Sequence, residues 1–300
     1  MKNILLSIVS VVLLCQTANA QSIAYKDSVD FDLAMLHYNT GKISLCVSEC
    51  KRIIKSESYY TDDARVLLAK CRDTQGFYRV ARHQYRKLVA EGNAEAAYYY
   101  GAMLVRRGHY AEAENMLQKA IIGNKNNADA HLMLAMIEAN QGQRFKAIMP
   151  LYYFMLINTN EEKQIMAYNR LLSLWRQSAK ALVMIKDKKQ SDTFNDATDA
   201  AISTWATSDS IINLKGKAQI EKLNQYTNQL FGYLLSHSEQ NLDFWQVAYT
   251  DFFVTLVPRN FVESYVYYIS DAAHHAEVLE WIAGAEGNLF NEFRLWMEAQ

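Results

Sequence analysis

A repeat of about 34 residues between residues 34 and 154 constrains the fold of this 300-residue chain more than any other feature. Six positions recur 34 residues apart, namely Gly101, Gly108, Tyr110, Ala113, Leu117 and Ala120, followed by Ala135, Gly142, Arg144, Ala147, Leu151 and Phe154. The same frame fits a copy that begins at Ala69 and, more loosely, one that begins at Ala34. A period of this length indicates stacked units that bury their apolar faces against one another.

The glycines and the small residues of this frame predict helical hairpins. Each copy has one glycine where a helix must end and the chain must reverse, because glycine tolerates the positive φ of such a cap. These glycines are Gly41, Gly76, Gly108 and Gly142. Two further small positions let the paired helices approach closely, namely Ala34, Ala69, Gly101 and Ala135 before the glycine, and Cys46, Ala81, Ala113 and Ala147 after it. The frame therefore predicts four antiparallel helix pairs.

The composition also favours helices. Proline occurs only at positions 150 and 258, and there are 11 glycines, whereas strong helix formers are plentiful. We therefore expect an all-α protein. Pro150 falls inside the second helix of the fourth pair, where it is expected to kink or delay that helix.

The stretch AAYYYGAMLVRRGHYAEAENMLQKAI, residues 96–121, closely resembles the tetratricopeptide repeat family. The resemblance covers roughly residues 27–161 and implies a tetratricopeptide-like α-solenoid of about four helix pairs. The early tryptophan and the closing proline that often mark this family are absent. Lys125 stands in the place of that proline in the third copy.

The resemblance also implies where a partner would bind, because the first helix of each pair lines the inner surface in this family. Carried over position by position, the expected partner-binding residues are Met35, Tyr38, Val66, Lys70, Tyr98, Ala102, Arg106, Leu132, Met136 and Asn140, with Phe31 and Asp73 beside them. Family members that hold acidic chaperone tails use a clamp of Lys, Asn and Arg at such positions. Only Lys70, Arg106 and Asn140 offer similar groups here, so an extended or helical apolar segment is the expected ligand.

The second half, residues 162–300, does not show the repeat frame, although it is also predicted to be helical. A first helix is expected to start at residues 159–162 and to run to about residue 185. Further helices are expected at residues 193–207, 216–237, 243–256, 261–269, 276–282 and 289–297. All five tryptophans lie in this half, and residues 243–256 carry two adjacent aromatic stripes, which indicate a helix buried on most sides. We expect a separate C-terminal helical bundle, with degenerate further repeats as the alternative. The predicted domains are therefore 21–161 and 162–300.

Residues 1–20 have the pattern of a signal peptide. A positive charge at Lys2 precedes an apolar stretch, and Ala18-Asn19-Ala20 is a small-residue cleavage signal. We therefore expect export, with a bacterial periplasm as the best-fitting location. Cys15 as a lipid attachment site is the less favoured alternative, because Leu14 precedes it where a small residue is needed. No later segment is apolar and long enough to predict a membrane span.

The charge balance and the motifs exclude several classes of function. With 31 basic and 32 acidic residues, the chain lacks the concentrated positive field that nucleic acid requires. It has no nucleophile elbow, phosphate-binding glycine loop or dinucleotide fingerprint, so no enzymatic role and no cofactor are predicted. His274 and His275 point about 100° apart on a helix, which argues against one shared metal ion.

The three cysteines that follow the leader leave two interpretations open. Cys46 and Cys50 are four residues apart on one helix face, and Cys71 lies on the helix expected to pack beside it. An oxidised pair that includes Cys71 is geometrically possible. The favoured interpretation is that small buried thiols fill core positions of the repeat.

The leading functional hypothesis is a non-enzymatic scaffold of the cell envelope that binds a partner protein or peptide. An envelope protein that binds a glycan or a peptide through its aromatic second half is the alternative. An enzyme with its site at the junction of the two halves ranks third.

Overall fold

The computed structural model describes residues 27–176, 193–205, 210–237, 243–284 and 286–300, and every regular element in these ranges is helical. The all-α prediction is thereby confirmed. The leader predicted at residues 1–20 lies outside the described residues. In the described ranges, no helix combines the length and the apolar character needed to cross a membrane. The chain divides into two compact units, one ending at His109 and the other beginning at Tyr110.

Among its described residues, 27–109, the first unit contains five helices of similar length. They are α1 (27–39), α2 (Ile43–Ser56), α3 (Thr61–Thr74), α4 (Tyr78–Ala90) and α5 (Ala94–Arg106). Consecutive helices pack against each other from α2 to α5, and α3 also contacts α5. The first helices of successive pairs, α3 and α5, therefore lie side by side, as the repeat frame predicts.

The turns within the pairs have the backbone geometry that the glycines predict. Gly41, Gly76 and Gly108 have φ angles of +73°, +80° and +75°, in the left-handed region that favours glycine. The backbone N–H of Gly76 donates to the carbonyl of Asp73, and that of Phe77 donates to the carbonyl of Arg72. The residues that follow α3 therefore supply hydrogen-bond donors to carbonyl groups in its last turn.

The small residues of the frame are fully buried between the helices. Ala34, Cys46, Ala69 and Ala81 are each 0% exposed, so no larger side chain fits there without moving a helix. The core around the first of these positions contains Leu67 and the three thiols described below. The repeat spacing therefore reflects close packing of helix on helix.

The second unit contains nine helices and one aromatic segment among the described residues. The helices are α6 (Tyr110–Gly123), α7 (Ala128–Asn140), α8 (Arg144–Ile157), α9 (Glu161–Arg176), α10 (Thr193–Trp205), α11 (Ser210–Asn213), α12 (Lys217–His237), α13 (Val262–Ala283) and α14 (Gly287–Glu298). The aromatic segment, residues 243–256, includes a π turn at Gln246–Thr250 and a 3-10 turn at Val254–Leu256.

Helix α8 forms the centre of the second unit. It packs against α7, α9, α10, α13 and the π turn of the aromatic segment, and it is buried almost all round. The repeat frame continues through α7 and α8, yet α8 also packs against the C-terminal helices α9, α10 and α13. The division at His109 therefore differs from the boundary expected near residue 161, and an independent domain at 162–300 stays a prediction.

Side chains from other helices form hydrogen bonds with backbone groups near both ends of α8. The Asp199 carboxylate accepts from the backbone N–H groups of Arg144 and Phe145 at 3.3 and 2.5 Å, which supplies an N-terminal cap from α10. At the other end, the Gln164 amide donates to the carbonyl of Met155 at 2.6 Å. Pro150 lies within this helix. Because the helix begins at Arg144 and runs on through Pro150, the delayed helix start that the sequence suggested does not occur.

The aromatic core of the second unit centres on Tyr152. Its hydroxyl lies 2.6 Å from the Thr227 hydroxyl and accepts from the Trp175 indole N–H at 3.3 Å. The Tyr265 hydroxyl donates to the Tyr152 carbonyl at 2.9 Å. Because these polar groups are buried and paired, they fix how α8, α9, α12 and α13 pack.

Candidate functional site

The first helices of the first unit bring several of the predicted partner-binding residues to one surface. Met35 and Tyr38 on α1, Lys70 on α3 and Tyr98 on α5 are partly exposed, and Arg106 at the end of α5 is exposed. Spacings of three and four residues place side chains on the same face of a helix, as in the sequence expectation. We call Met35, Tyr38, Lys70, Tyr98, Tyr99 and the Asp73–Arg106 pair the first-helix face.

Lys70 lies between two tyrosine rings and is the centre of this face. Its ammonium nitrogen is 5.0 Å from the centre of the Tyr38 ring on α1 and 3.9 Å from the centre of the Tyr99 ring on α5. The Tyr38 hydroxyl lies 3.3 Å from the Thr74 hydroxyl on α3. Cation–π contacts at exposed sites contribute about 0.5–1 kcal/mol each. The three helices are therefore joined at their surface by one side chain.

An ion pair continues the face toward the end of α5. The Arg106 guanidinium contacts the Asp73 carboxylate, and their side chains are 59% and 9% exposed. Because the Arg106 side chain is exposed, the pair contributes at most about 1 kcal/mol to folding stability. It also holds the Arg106 guanidinium at one position on the surface.

Further carboxyl groups make the surface around Lys70 mixed in charge. Burial raises the pKa of Glu95, while the nearby Lys70 ammonium lowers it and Asp63 raises it further. Burial also raises the pKa of Asp63, and Asp62 adds to that shift. A purely basic clamp for an acidic tail is therefore not what this face offers, in agreement with the sequence analysis.

Two predicted residues are not on the surface. Val66 is 1% exposed and Ala102 is 6% exposed, because both point into the packing between helices. Both are among the buried hydrophobic residues, and their part in partner binding stays a prediction. Phe31, expected beside the site, stacks on Tyr60 with ring centres 5.2 Å apart.

Sequence reasoning missed Tyr99 as a member of the face. The family position carried over was Tyr98, whose ring centre lies 4.9 Å from that of Tyr99. The signal was present as three consecutive tyrosines at 98–100, of which only Tyr100 is buried. An aromatic residue beside a predicted contact position is the clue that identifies such a neighbour.

The remaining predicted residues lie on α7 of the second unit. Leu132 and Met136 are partly exposed, and Asn140 at the end of the helix is exposed. All three are therefore accessible within their own unit. Their participation in the same binding surface as Lys70 stays a prediction.

The histidine pair of α13 contacts two different partners. His274 Nε2 lies 2.9 Å from the Gln219 amide oxygen, and His275 Nδ1 lies 2.8 Å from an Asp271 carboxylate oxygen. Within the described ranges, no group of three or more His, Cys, Asp and Glu residues is arranged to hold a metal ion. His274 has non-helical angles, φ −141° and ψ 46°, and marks a kink in α13.

Most of the central rings of the second half lie in the core. Trp175, Tyr249 and Phe253 are 0% exposed, and Trp245 is 5% exposed. A sugar cannot stack on a ring that is already covered on both faces. The aromatic stripes at 243–256 are therefore mainly packing residues.

A groove on the second unit was not foreseen. It has a volume of about 710 Å³ and lies between the 158–161 turn, α13 and α14. Its lining combines apolar groups with polar ones, including Asn158, Tyr268, His275, Leu279, Phe290 and Arg294. It is formed by residues more than 100 positions apart, which no local pattern predicts.

Comparison with known proteins leaves the family open. No protein-family model matches the chain, and no curated protein matches it either. A solved structure titled "Crystal structure of MamA protein" matches at 15% sequence identity with a TM-score of 0.41. The match covers 72% of this chain and 98% of that one.

Proposed function

We propose that this protein is a non-enzymatic interaction scaffold of the cell envelope that binds a partner protein or peptide on the first-helix face. The observation that carries the proposal is the position of Lys70 between Tyr38 and Tyr99 on the first helices of successive pairs. The leader-like residues 1–20 are the reason for proposing an envelope location.

Lys70 gives the face a group that a partner can bind. An ammonium group has three hydrogen-bond donors. Lys70 contacts aromatic rings on two sides, and the Glu95 carboxyl is near enough for the Lys70 charge to lower its pKa. A carbonyl or carboxylate of an incoming peptide can therefore accept a hydrogen bond from the Lys70 ammonium group. The partly exposed rings of Tyr38 and Tyr99 lie next to that group.

The surroundings of Lys70 favour a segment with apolar side chains. Met35, Tyr38 and Tyr98 are all partly exposed, and aromatic residues and arginine are the usual anchors of protein interfaces. The proposed ligand is an extended or helical segment that packs apolar side chains on these rings and places one acceptor at Lys70.

In-cell chemical crosslinking followed by mass spectrometry tests the proposal. A Lys70→Ala/Arg106→Ala double variant is expected to reduce partner recovery about tenfold, the loss expected when two anchoring contacts are removed. The matched control replaces Lys51 and Lys87, two exposed lysines on the second helices α2 and α4, with alanine. Equal partner recovery by both folded double variants would show that the first-helix face is not the binding site.

The groove of the second unit favours a second candidate, an envelope protein that binds a glycan or a peptide. The Trp281 ring centre lies 5.9 Å from that of Phe290, which lines the groove, so ligand entry should change tryptophan fluorescence. A Trp281→Phe variant identifies the signal of that ring. Flat titrations across a panel of oligosaccharides and peptides would eliminate this candidate.

A further inference from the structure

Three thiols meet in the core of the first unit. Cys46 and Cys50 lie on α2 and Cys71 lies on α3, and all three are free and 0% exposed. The Cys71 thiol donates to the Cys46 sulfur at 3.1 Å, and the Cys46 and Cys50 sulfurs are 3.8 Å apart. The proposed binding face does not use these groups.

Helix geometry favours one of the three possible cysteine pairs for a disulfide bond. Residues four apart on a helix have Cβ atoms about 5–6 Å apart. A disulfide needs Cβ atoms about 3.5–4.5 Å apart, so Cys46 and Cys50 cannot bond without deforming α2. Cys46 and Cys71 are on different helices at a close-packed position, and their sulfurs are already the nearest pair.

In the folded cluster, the surroundings favour the ionised form of Cys46 over those of its two neighbours. Hydrogen bonding from Cys50 and then from Cys71 lowers the pKa of Cys46 to about 4, and His37 and Lys70 contribute in the same direction. Hydrogen bonding to Cys46 and burial raise the pKa of Cys50 and of Cys71. A thiolate at Cys46 with a protonated neighbour is the arrangement from which exchange starts.

We propose that Cys46 and Cys71 form a disulfide that links α2 to α3 and leaves Cys50 as a free thiol beside it. The Cys46 thiolate attacks one sulfur of a disulfide-bearing oxidant and releases the other half of the oxidant as a thiolate. Cys71 then loses its proton to that thiolate, attacks the Cys46 sulfur of the mixed disulfide and displaces the remaining half. Two protein thiols are oxidised, and one oxidant disulfide is reduced to two thiols.

The burial of the cluster determines when the bond forms. Because all three sulfurs are inaccessible in the folded unit, the oxidant reaches them before the unit closes or during a local opening. Once formed, the disulfide closes a loop of residues 46–71 and lowers the conformational entropy of the unfolded chain. It also joins the helix that carries Lys70 to the helix before it.

The experiment is refolding of the full chain in a buffer of reduced and oxidised glutathione, followed by acid quenching, alkylation of free thiols and peptide mapping without reduction. Lys42 and Lys51 place Cys46 and Cys50 in one tryptic peptide, so fragmentation between them assigns the bond. The expected product has Cys46 linked to Cys71 and Cys50 alkylated. Its thermal midpoint should lie about 10 °C above that of the reduced protein.

Three single variants act as matched controls. Cys50→Ala should keep both the bond and the shift in midpoint, whereas Cys46→Ala and Cys71→Ala should lose both. Alanine is tolerated at position 46, because the other copies of the frame carry Ala81, Ala113 and Ala147 there. Three alkylated thiols after equilibration with oxidised glutathione would overturn the proposal. So would a Cys46–Cys50 bond, or one equivalent of zinc held by the reduced cluster.

Discussion

The ammonium nitrogen of Lys70 lies 3.9 Å from the centre of the Tyr99 ring, across the boundary between α3 and α5. This contact joins the first helices of two successive pairs on a surface where their backbones are already adjacent. The same ammonium group faces the Tyr38 ring of α1, so one residue fixes the relative position of three side chains. A surface held in this way loses little side-chain entropy when a partner binds.

Replacing Lys70 with methionine should destabilise the first unit slightly. Methionine keeps an apolar chain between the rings but removes the charge, so two exposed cation–π contacts are lost, for a cost of about 1–2 kcal/mol. Chemical denaturation measures this loss. Lys87→Met, at an exposed position on α4, should change the free energy of unfolding by less than about 0.5 kcal/mol.

The stability of the second unit should depend on pH through His131. Its Nε2–H donates to the Lys125 carbonyl at 2.9 Å, and its Nδ1 accepts from the Tyr249 hydroxyl at 2.8 Å, so the buried ring is neutral. Burial lowers its pKa to about 4. The unfolded state therefore binds more protons between pH 6.5 and 4, and stability falls as the pH drops through that window.

A His131→Gln variant isolates this effect. Its stability relative to wild type should rise by up to about 3 kcal/mol as the pH falls from 6.5 to 4. Unfolding free energies at a series of pH values supply the comparison. A pH-independent difference between the two proteins would show that His131 does not titrate in this way.

Glu138 should have the opposite pH dependence. It is 1% exposed, and burial, followed by the nearby Glu114, raises its pKa well above the usual value. The neutral carboxyl is favoured in the folded state, so its contribution is complete below the unfolded pKa of about 4.5 and is lost as the pH rises through the folded pKa. Glu138→Gln removes the titration and keeps the shape. Its stability relative to wild type should increase by more than about 1 kcal/mol between pH 4 and 8.

Two glycine substitutions should change the folding stability in opposite directions. Gly76 has a φ angle of +80° and open space where a Cβ atom would lie, so Gly76→Ala should cost about 1–2 kcal/mol from backbone strain alone. Gly232 lies inside α12, also with open space, and Gly232→Ala should stabilise by about 0.5–1 kcal/mol. Thermal unfolding of the two variants checks the signs, and destabilisation by both would contradict the assignment of Gly232 to an ordinary helical position.

The repeat frame predicted the first unit well because its information is local. Glycine caps at Gly41 and Gly76 and small residues such as Ala81 determine where helices end and how closely they pack, and each acts within one hairpin. The frame could not predict that Val66 and Ala102 are buried. That depends on how tightly a neighbouring helix covers them, which the repeat period does not contain.

The second half could be predicted as helices but not as an arrangement. The helix expected at 216–237 matches α12, which spans Lys217–His237, whereas the helices expected at 261–269 and 276–282 are one helix with a kink at His274. The contacts of Tyr152 with Thr227 and Tyr265 join residues 75 and 113 positions apart. Such contacts depend on side-chain shape and hydrogen bonding, which hydrophobic periodicity does not encode.

Site-specific photo-crosslinking in cells is the most direct test of the proposed binding face. A photoreactive phenylalanine analogue would replace Tyr98 on α5, and the same analogue would replace His83, an exposed residue of α4, as the control. If the first-helix face binds the partner, one dominant protein is crosslinked from position 98, is absent from position 83, and is strongly reduced when Lys70 and Arg106 are replaced with alanine. The same products from both positions, or no protein product from position 98, would contradict it.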